Sequence, residues 1–157
     1  MHMEDYSQLL KILLEEEEEL QFTQFTNDMS FDIGCKIVET AKQNHKSITV
    51  DIIRNGHQLF HAALAGQSVD NDDWVNRKSR VALRFGHSSH YMACLLKSNS
   101  KTLEQRYLLD PTQYVATGGA FPIFIKNVGI VGTITVSGMT SEEDHNLVTS
   151  TIRQFLK

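Results

Sequence analysis

The stretch GGAFPIFIKNVGIVGTITVSG, residues 118–138, holds five of the chain's nine glycines and one of its two prolines in a run dense with Ile, Val and Phe. β-Branched and aromatic residues favour strands, whereas glycine weakens a strand unless a bulge, a bend or a close approach needs it. The run therefore reads as two strands around a turn near Lys126 to Gly129. Gly118-Gly119 lets the chain swing into the first strand. Pro122 has no N–H for a ladder, which places its strand at a sheet edge or a bulge. Gly132, between Val131 and Thr133, leaves room for a helix, a partner subunit or a flat ligand.

A second strand pair lies upstream in SITVDIIRNGHQLFHAAL, where Asn55-Gly56 is a strong hairpin signal because both residues tolerate positive φ. Ile48–Arg54 is expected to pair antiparallel with Gln58–Ala63. The rest of the chain reads largely as helix. YSQLLKILLEEEEEL brings Leu9, Leu13 and Leu20 near helical spacing, with the acids Glu15 to Glu19 expected on a solvated face. NDMSFDIGCKIVETAKQNH runs Phe31, Cys35 and Val38 along one face. DNDDWVNRKSRVALRFG carries Trp74, Val81 and Phe85 and is closed by Gly86. SSHYMACLLK restarts a helix at Ser88 or Ser89, with Tyr91, Cys94 and Leu95 inward. Residues 98–117 read as a long irregular segment. MTSEEDHNLVTSTIRQFLK closes the chain as a helix with capping boxes at Thr140–Glu143 and Ser141–Asp144 and an apolar face of Val148, Ile152 and Phe155.

Hairpins separated by helices do not build a parallel βαβ array, so they join most simply as one antiparallel sheet covered by helices. The expectation is a single α+β domain over residues 1–157. Its composition, 41% hydrophobic and 22% charged, is that of an ordinary globular protein. A formal net charge of −4 argues against a nucleic-acid footprint, although RKSRVALR gathers Arg77, Lys78, Arg80 and Arg84. No apolar run approaches the about 20 residues of a membrane span. The acidic start MHMEDYSQLL lacks the basic region of a secretory signal, and Cys35 and Cys94 sit in helical patterns as small buried groups. Together these point to the cytoplasm, with no nucleic-acid or membrane partner.

The motifs GGAFPI, NVGIVGTITVSGMTSEEDHNLV and, upstream, WVNRKSRVALRFGHSSHYM resemble the haem-degrading-domain family of HbpS-, GlcG- and PduO C-terminal-like proteins. Within it the chain is similar to a cytoplasmic branch with the pattern W-x-x-R-K-x-x-V-x-x-R-F-x-x-S-S. The resemblance runs from the first hairpin to the end of the chain. It implies a profilin-like or PAS-like fold: a five-stranded antiparallel sheet with helices on both faces, with Gln21 to Gln24 as the added strand. It also implies dimers or higher homo-oligomers, and haem or another tetrapyrrole as ligand.

The candidate ligand-binding residues are Arg77, Lys78, Arg84, Ser88 and Ser89, with Gly118, Gly119 and Gly132. Cations beside a helix start suit a propionate, carboxylate or phosphate. The competing reading makes Trp74 and Phe85 core, the cations surface groups and the serines caps. His87 and His90, three residues apart, with His145 would need further ligands to hold a metal, and no metal site is expected. The histidines at 45, 57 and 61 read as isolated. Ser88 and Ser89 lack a nucleophile-elbow context, and Cys94 in an apolar pattern is a poor nucleophile. Two functions stand side by side: a binding module for a small anionic or tetrapyrrole ligand, and a non-enzymatic assembly protein. Enzymatic haem degradation is the third, with no acid, base or nucleophile set assigned.

Overall fold

The computed structural model describes residues 3–157, so the first two residues of the acidic start lie outside the described part. The elements run α1 (Met3–Glu19), β1 (Gln21–Phe22), α2 (Asn27–Gln43), β2 (Thr49–Arg54), β3 (His57–Ala63), α3 (Val69–Phe85), α4 (Ser89–Ser98), α5 (Leu103–Tyr107), β4 (Ala120–Ile125), β5 (Gly129–Ser137) and α6 (Ser141–Phe155). The short α5 lies inside the segment expected to be irregular, started by Thr102 Oγ1, which accepts the Gln105 N–H at 3.1 Å.

One five-stranded sheet orders the strands β1-β4-β5-β2-β3. The fold is α+β as expected, but the sheet is mixed, because β1 pairs parallel with β4. Hairpins force antiparallel pairing between β2 and β3 and between β4 and β5. β1 has no such tether: it reaches β4 across most of the chain, so its direction is set by where α1 and α2 dock.

The Asn55-Gly56 turn holds Arg54 opposite His57, with a bulge between Ile52 and Ile53. β4 carries a second bulge between Ile123 and Phe124. Pro122 lies next to it, on the part of β4 that the two-residue β1 does not reach. Its missing N–H therefore breaks no ladder.

The two faces of the sheet differ in chemistry. Val50, Ile52, Phe121, Ile123, Ile134 and Val136 bury against α2 and α6, where Ile33, Ile37, Val148 and Ile152 complete the core. On the same strands Thr49, Asp51, Thr133, Thr135 and Ser137 are also buried. They alternate with the apolar set, as a strand's period of two requires. Their face carries α3, whose Ser79 Oγ meets Thr133 Oγ1 at 3.0 Å.

The buried stripe of α2 is Ile33, Gly34, Ile37 and Ala41, so the expected Phe31, Cys35 and Val38 stripe was displaced. Phe31 is 59% exposed and Cys35 is exposed. In α6, Val148 and Ile152 are fully buried while Phe155 lies at the surface.

Candidate functional site

The basic residues of α3 do not converge on open space. Arg77 bonds Asp73 at 3.1 Å, stacks 4.3 Å from the Trp74 ring centroid and donates to Pro111 O at 3.4 Å. Arg80 donates to Gln113 O at 3.1 Å, and Arg84 lies 5.6 Å from the Tyr114 ring centroid. These three arginines fasten the segment after α5 onto α3.

Lys78 points inward and is 2% exposed. Its Nζ donates to Asp144 Oδ2 and to Val136 O, both at 3.0 Å. Burial pushes the Lys78 ammonium below its usual range and Asp144 opposes it; burial pushes Asp144 up and Lys78 opposes that. Met139 N–H donates to the other Asp144 oxygen at 3.0 Å. Lys78 is thus an internal cation with its counter-charge supplied.

The serines and glycines organise the start of β4. Ser88 Oγ caps α4 by accepting the Tyr91 N–H at 3.1 Å, and Ser89 Oγ accepts the Ala120 N–H at 2.9 Å. Gly118 N–H donates to Ser141 Oγ at 2.6 Å. Gly119 has φ 137°, and a Cβ there would strike the Val136 carbonyl. Lys78, Ser89, Gly118 and Gly119 therefore gather at one end of β4, whereas Arg77 and Arg84 face the 110–114 segment. Gly132 sits apart, opposite Arg54 and Ile123, where a Cβ would run into the Ile53 carbonyl. The close approach inferred at Gly132 is that of the neighbouring strand β2.

A cleft of about 790 Å³ opens between α1, α4 and the start of α6. Leu9, Ile12 and Leu13 give it an apolar wall, and His90, Cys94, Ser141 and His145 face them. The His90 and His145 rings lie 4.8 Å apart between centroids, inclined by 31°. His145, 2% exposed, brings Nε2 to 2.6 Å from Glu16 Oε1. Burial raises the Glu16 carboxyl, but His145 and Arg153 outweigh it and hold the group below its usual value. Glu16 is therefore a carboxylate, and His145 Nε2 carries the proton between them. Among the described residues, the buried His145 Nδ1 has no hydrogen-bond partner.

His90 Nδ1 lies 3.3 Å from Ser141 Oγ, and His90 Nε2 4.0 Å from Cys94 Sγ. Because Ser141 Oγ already accepts the Gly118 N–H, its own proton is free to reach His90 Nδ1. Burial, then the charge of His145, pushes His90 down to about 4, so the ring is neutral near pH 7. Burial also raises the Cys94 thiol. His87 turns away to Glu17 Oε2 at 2.8 Å. Among the described residues, no three His, Cys, Asp or Glu side chains are placed to hold a metal ion.

The acidic run is the feature the sequence reading missed. Glu17 is 6% exposed and accepts the Ser88 N–H at 2.7 Å, while Glu16 and Glu19 bind Arg153 at 3.3 and 2.9 Å. The signal was present: positions 16 and 17 fall three and four residues after Leu13 and before Leu20, on the buried side of α1.

An α+β domain with a five-stranded sheet flanked by helices and a cleft beside α6 defines a class of small single-sheet domains. Residues 25–153 match the family described as haem degrading protein HbpS-like, and the chain belongs to that family. It is 42% identical over 144 residues to a UPF0303 protein of Streptomyces coelicolor, covering 92% of this chain and 91% of that one. The solved structure of the Ybr137w protein superposes with a TM-score of 0.86 at 37% identity, covering 93% of this chain and 86% of that one. The PduOC:Heme complex shares the fold, with a TM-score of 0.69 at 16% identity over 84% of this chain and 94% of that one. No helix among the described residues is long and apolar enough to cross a membrane.

Proposed function

We propose that this chain is a small-ligand-binding protein that holds its ligand in the cleft between α1, α4 and α6. The observation that carries the reading is the cleft itself, about 790 Å³ with an apolar wall and two imidazoles in contact with each other. Ligand sites of this size are typically mostly apolar with a few placed polar groups. Haem or a related tetrapyrrole is the first ligand to test, because the family is HbpS-like and a protein of the same fold is solved as a haem complex. His90 fits that role as a neutral imidazole whose Nδ1 is held by Ser141. The carboxylate half of haem does not fit: among the described residues Lys97 is the one Lys or Arg lining the cleft, beside Asp5, Glu16 and Glu142. Lys78, Arg77 and Arg84 are committed to partners elsewhere.

Absorbance titration with haemin tests the haem version. A saturable Soret shift that is lost in His90→Ala supports it. An unshifted Soret band at micromolar wild-type protein ends it.

A second reading, homo-oligomeric assembly, rests on β3, which pairs with β2 on one side only and ends the sheet. An unpaired strand edge is a template for another chain. Light scattering decides: a monomeric mass at every concentration removes this reading.

A further inference from the structure

The polar lining of the cleft is one-sided. Among the described residues, Glu142 and Glu16 bring carboxylates to it against the one ammonium of Lys97. Glu16 is shared with His145 and Arg153, whereas Glu142 lies exposed at the rim. His145 adds an independent sign. Its Nε2 proton is committed to Glu16, and its Nδ1, on a side chain buried in the cleft wall, has no hydrogen-bond partner among the described residues. A buried polar atom without a partner is costly, and a ligand group that reached it would relieve that cost. The acidic wall also comes largely from α1, which precedes the 25–153 span matched by the family.

We propose that the cleft takes a ligand with a protonated amine on an apolar body, the amine facing the carboxylate of Glu142 and the body lying on Leu9, Ile12 and Leu13. This rests on the cleft being the binding site and names the chemistry it selects. An anionic group there would meet carboxylates across a partly desolvated space, where like charges repel more strongly than in water.

The experiment uses three probes with one ring and different charge: tryptamine, 3-methylindole and indole-3-propionate, each titrated calorimetrically into the full chain. Tryptamine is expected to bind about tenfold more tightly than 3-methylindole, with indole-3-propionate weakest. Glu142→Gln should lower tryptamine affinity several-fold and leave 3-methylindole unchanged. Ile12→Trp, at a half-exposed position that tolerates the change, should fill the cleft and abolish binding of all three. Indole-3-propionate binding as tightly as tryptamine, or a Glu142→Gln variant indistinguishable from wild type, overturns the amine proposal. If 3-methylindole still binds and Ile12→Trp blocks it, the cleft reading survives that loss. No binding by any probe overturns both.

Discussion

His145 Nε2 lies 2.6 Å from Glu16 Oε1, joining residues 129 positions apart. The contact fixes α1 against α6 and forms one wall of the cleft. With Glu17 bonded to His87 and the Ser88 N–H, and Glu19 to Arg153, α1 is held by polar contacts along its C-terminal half.

Glu16→Ala should leave His145 buried with both ring nitrogens unpartnered, and an orphaned buried polar group costs about 1–3 kcal/mol. Urea denaturation should show a loss in that range. Glu15→Ala and Glu18→Ala, both at exposed positions, should stay within about 0.5 kcal/mol of wild type. Equal effects at all three sites would mean that the run acts only as a solvated face.

The sequence carried this sheet and its capping more clearly than its site. Asn55-Gly56 specified the β2–β3 register, and the Thr140–Glu143 box placed the start of α6, because both signals are local chemistry. The α2 face was misread because Phe31, Cys35, Val38 and Ile33, Ile37, Ala41 are both helix-compatible stripes. Only the sheet they pack on chooses between them. The His90–His145–Glu16 group was illegible for a related reason. Its members come from three helices, and no spacing along the chain records that meeting. His87 and His90 share a sequence motif, yet His90 meets His145 while His87 meets Glu17.

His90 gives the protein a pH dependence of definite sign. Its folded value, about 4, lies below the ordinary 6.5, so between these values the unfolded chain binds a proton that the folded chain refuses. Its contribution is fully present above pH 6.5 and is lost as pH falls toward 4. For a ring partly open to solvent, screening leaves about 1–2 kcal/mol across that window. Glu16 loses its own contribution only as pH falls below about 4.5, so between pH 7.5 and 5 the difference in melting between wild type and a His90 variant isolates this histidine from the carboxylate and from the other histidines. His90→Gln should flatten the profile there, and an unchanged slope would contradict the neutral, buried assignment.

Lys78 and Asp144 form a pair whose partners are both almost fully buried. Lys78→Met should leave the Asp144 carboxyl uncompensated and cost about 3–5 kcal/mol. The double variant Lys78→Met/Asp144→Leu should recover part of that loss, because replacing a buried pair by apolar groups is often near neutral. Recovery should be incomplete, since the Met139 N–H loses its acceptor. A double variant as unstable as the single one would mean that the pair's value lies in organising the β4 start rather than in mutual charge compensation.

Gly132→Val separates two accounts of the glycine-rich strand. By intrinsic preference valine strengthens a strand, and a glycine kept for a ligand or subunit would cost assembly or binding while the fold held. In the structure, Gly132 sits on β5 beside the β4 bulge, and a side chain there meets the backbone of Ile53 and Arg54. Backbone in a central ladder has little freedom to yield, so the added bulk must part β5 from β2 at the middle of the sheet. Overpacking of this kind costs about 1–3 kcal/mol, and the lost ladder bonds add to it. The expected outcome is a lower melting temperature and reduced soluble yield in the full chain, with no ligand present. A Gly132→Val protein as stable as wild type would show that β2 and β5 separate without penalty and that the glycine answers to something outside the sheet.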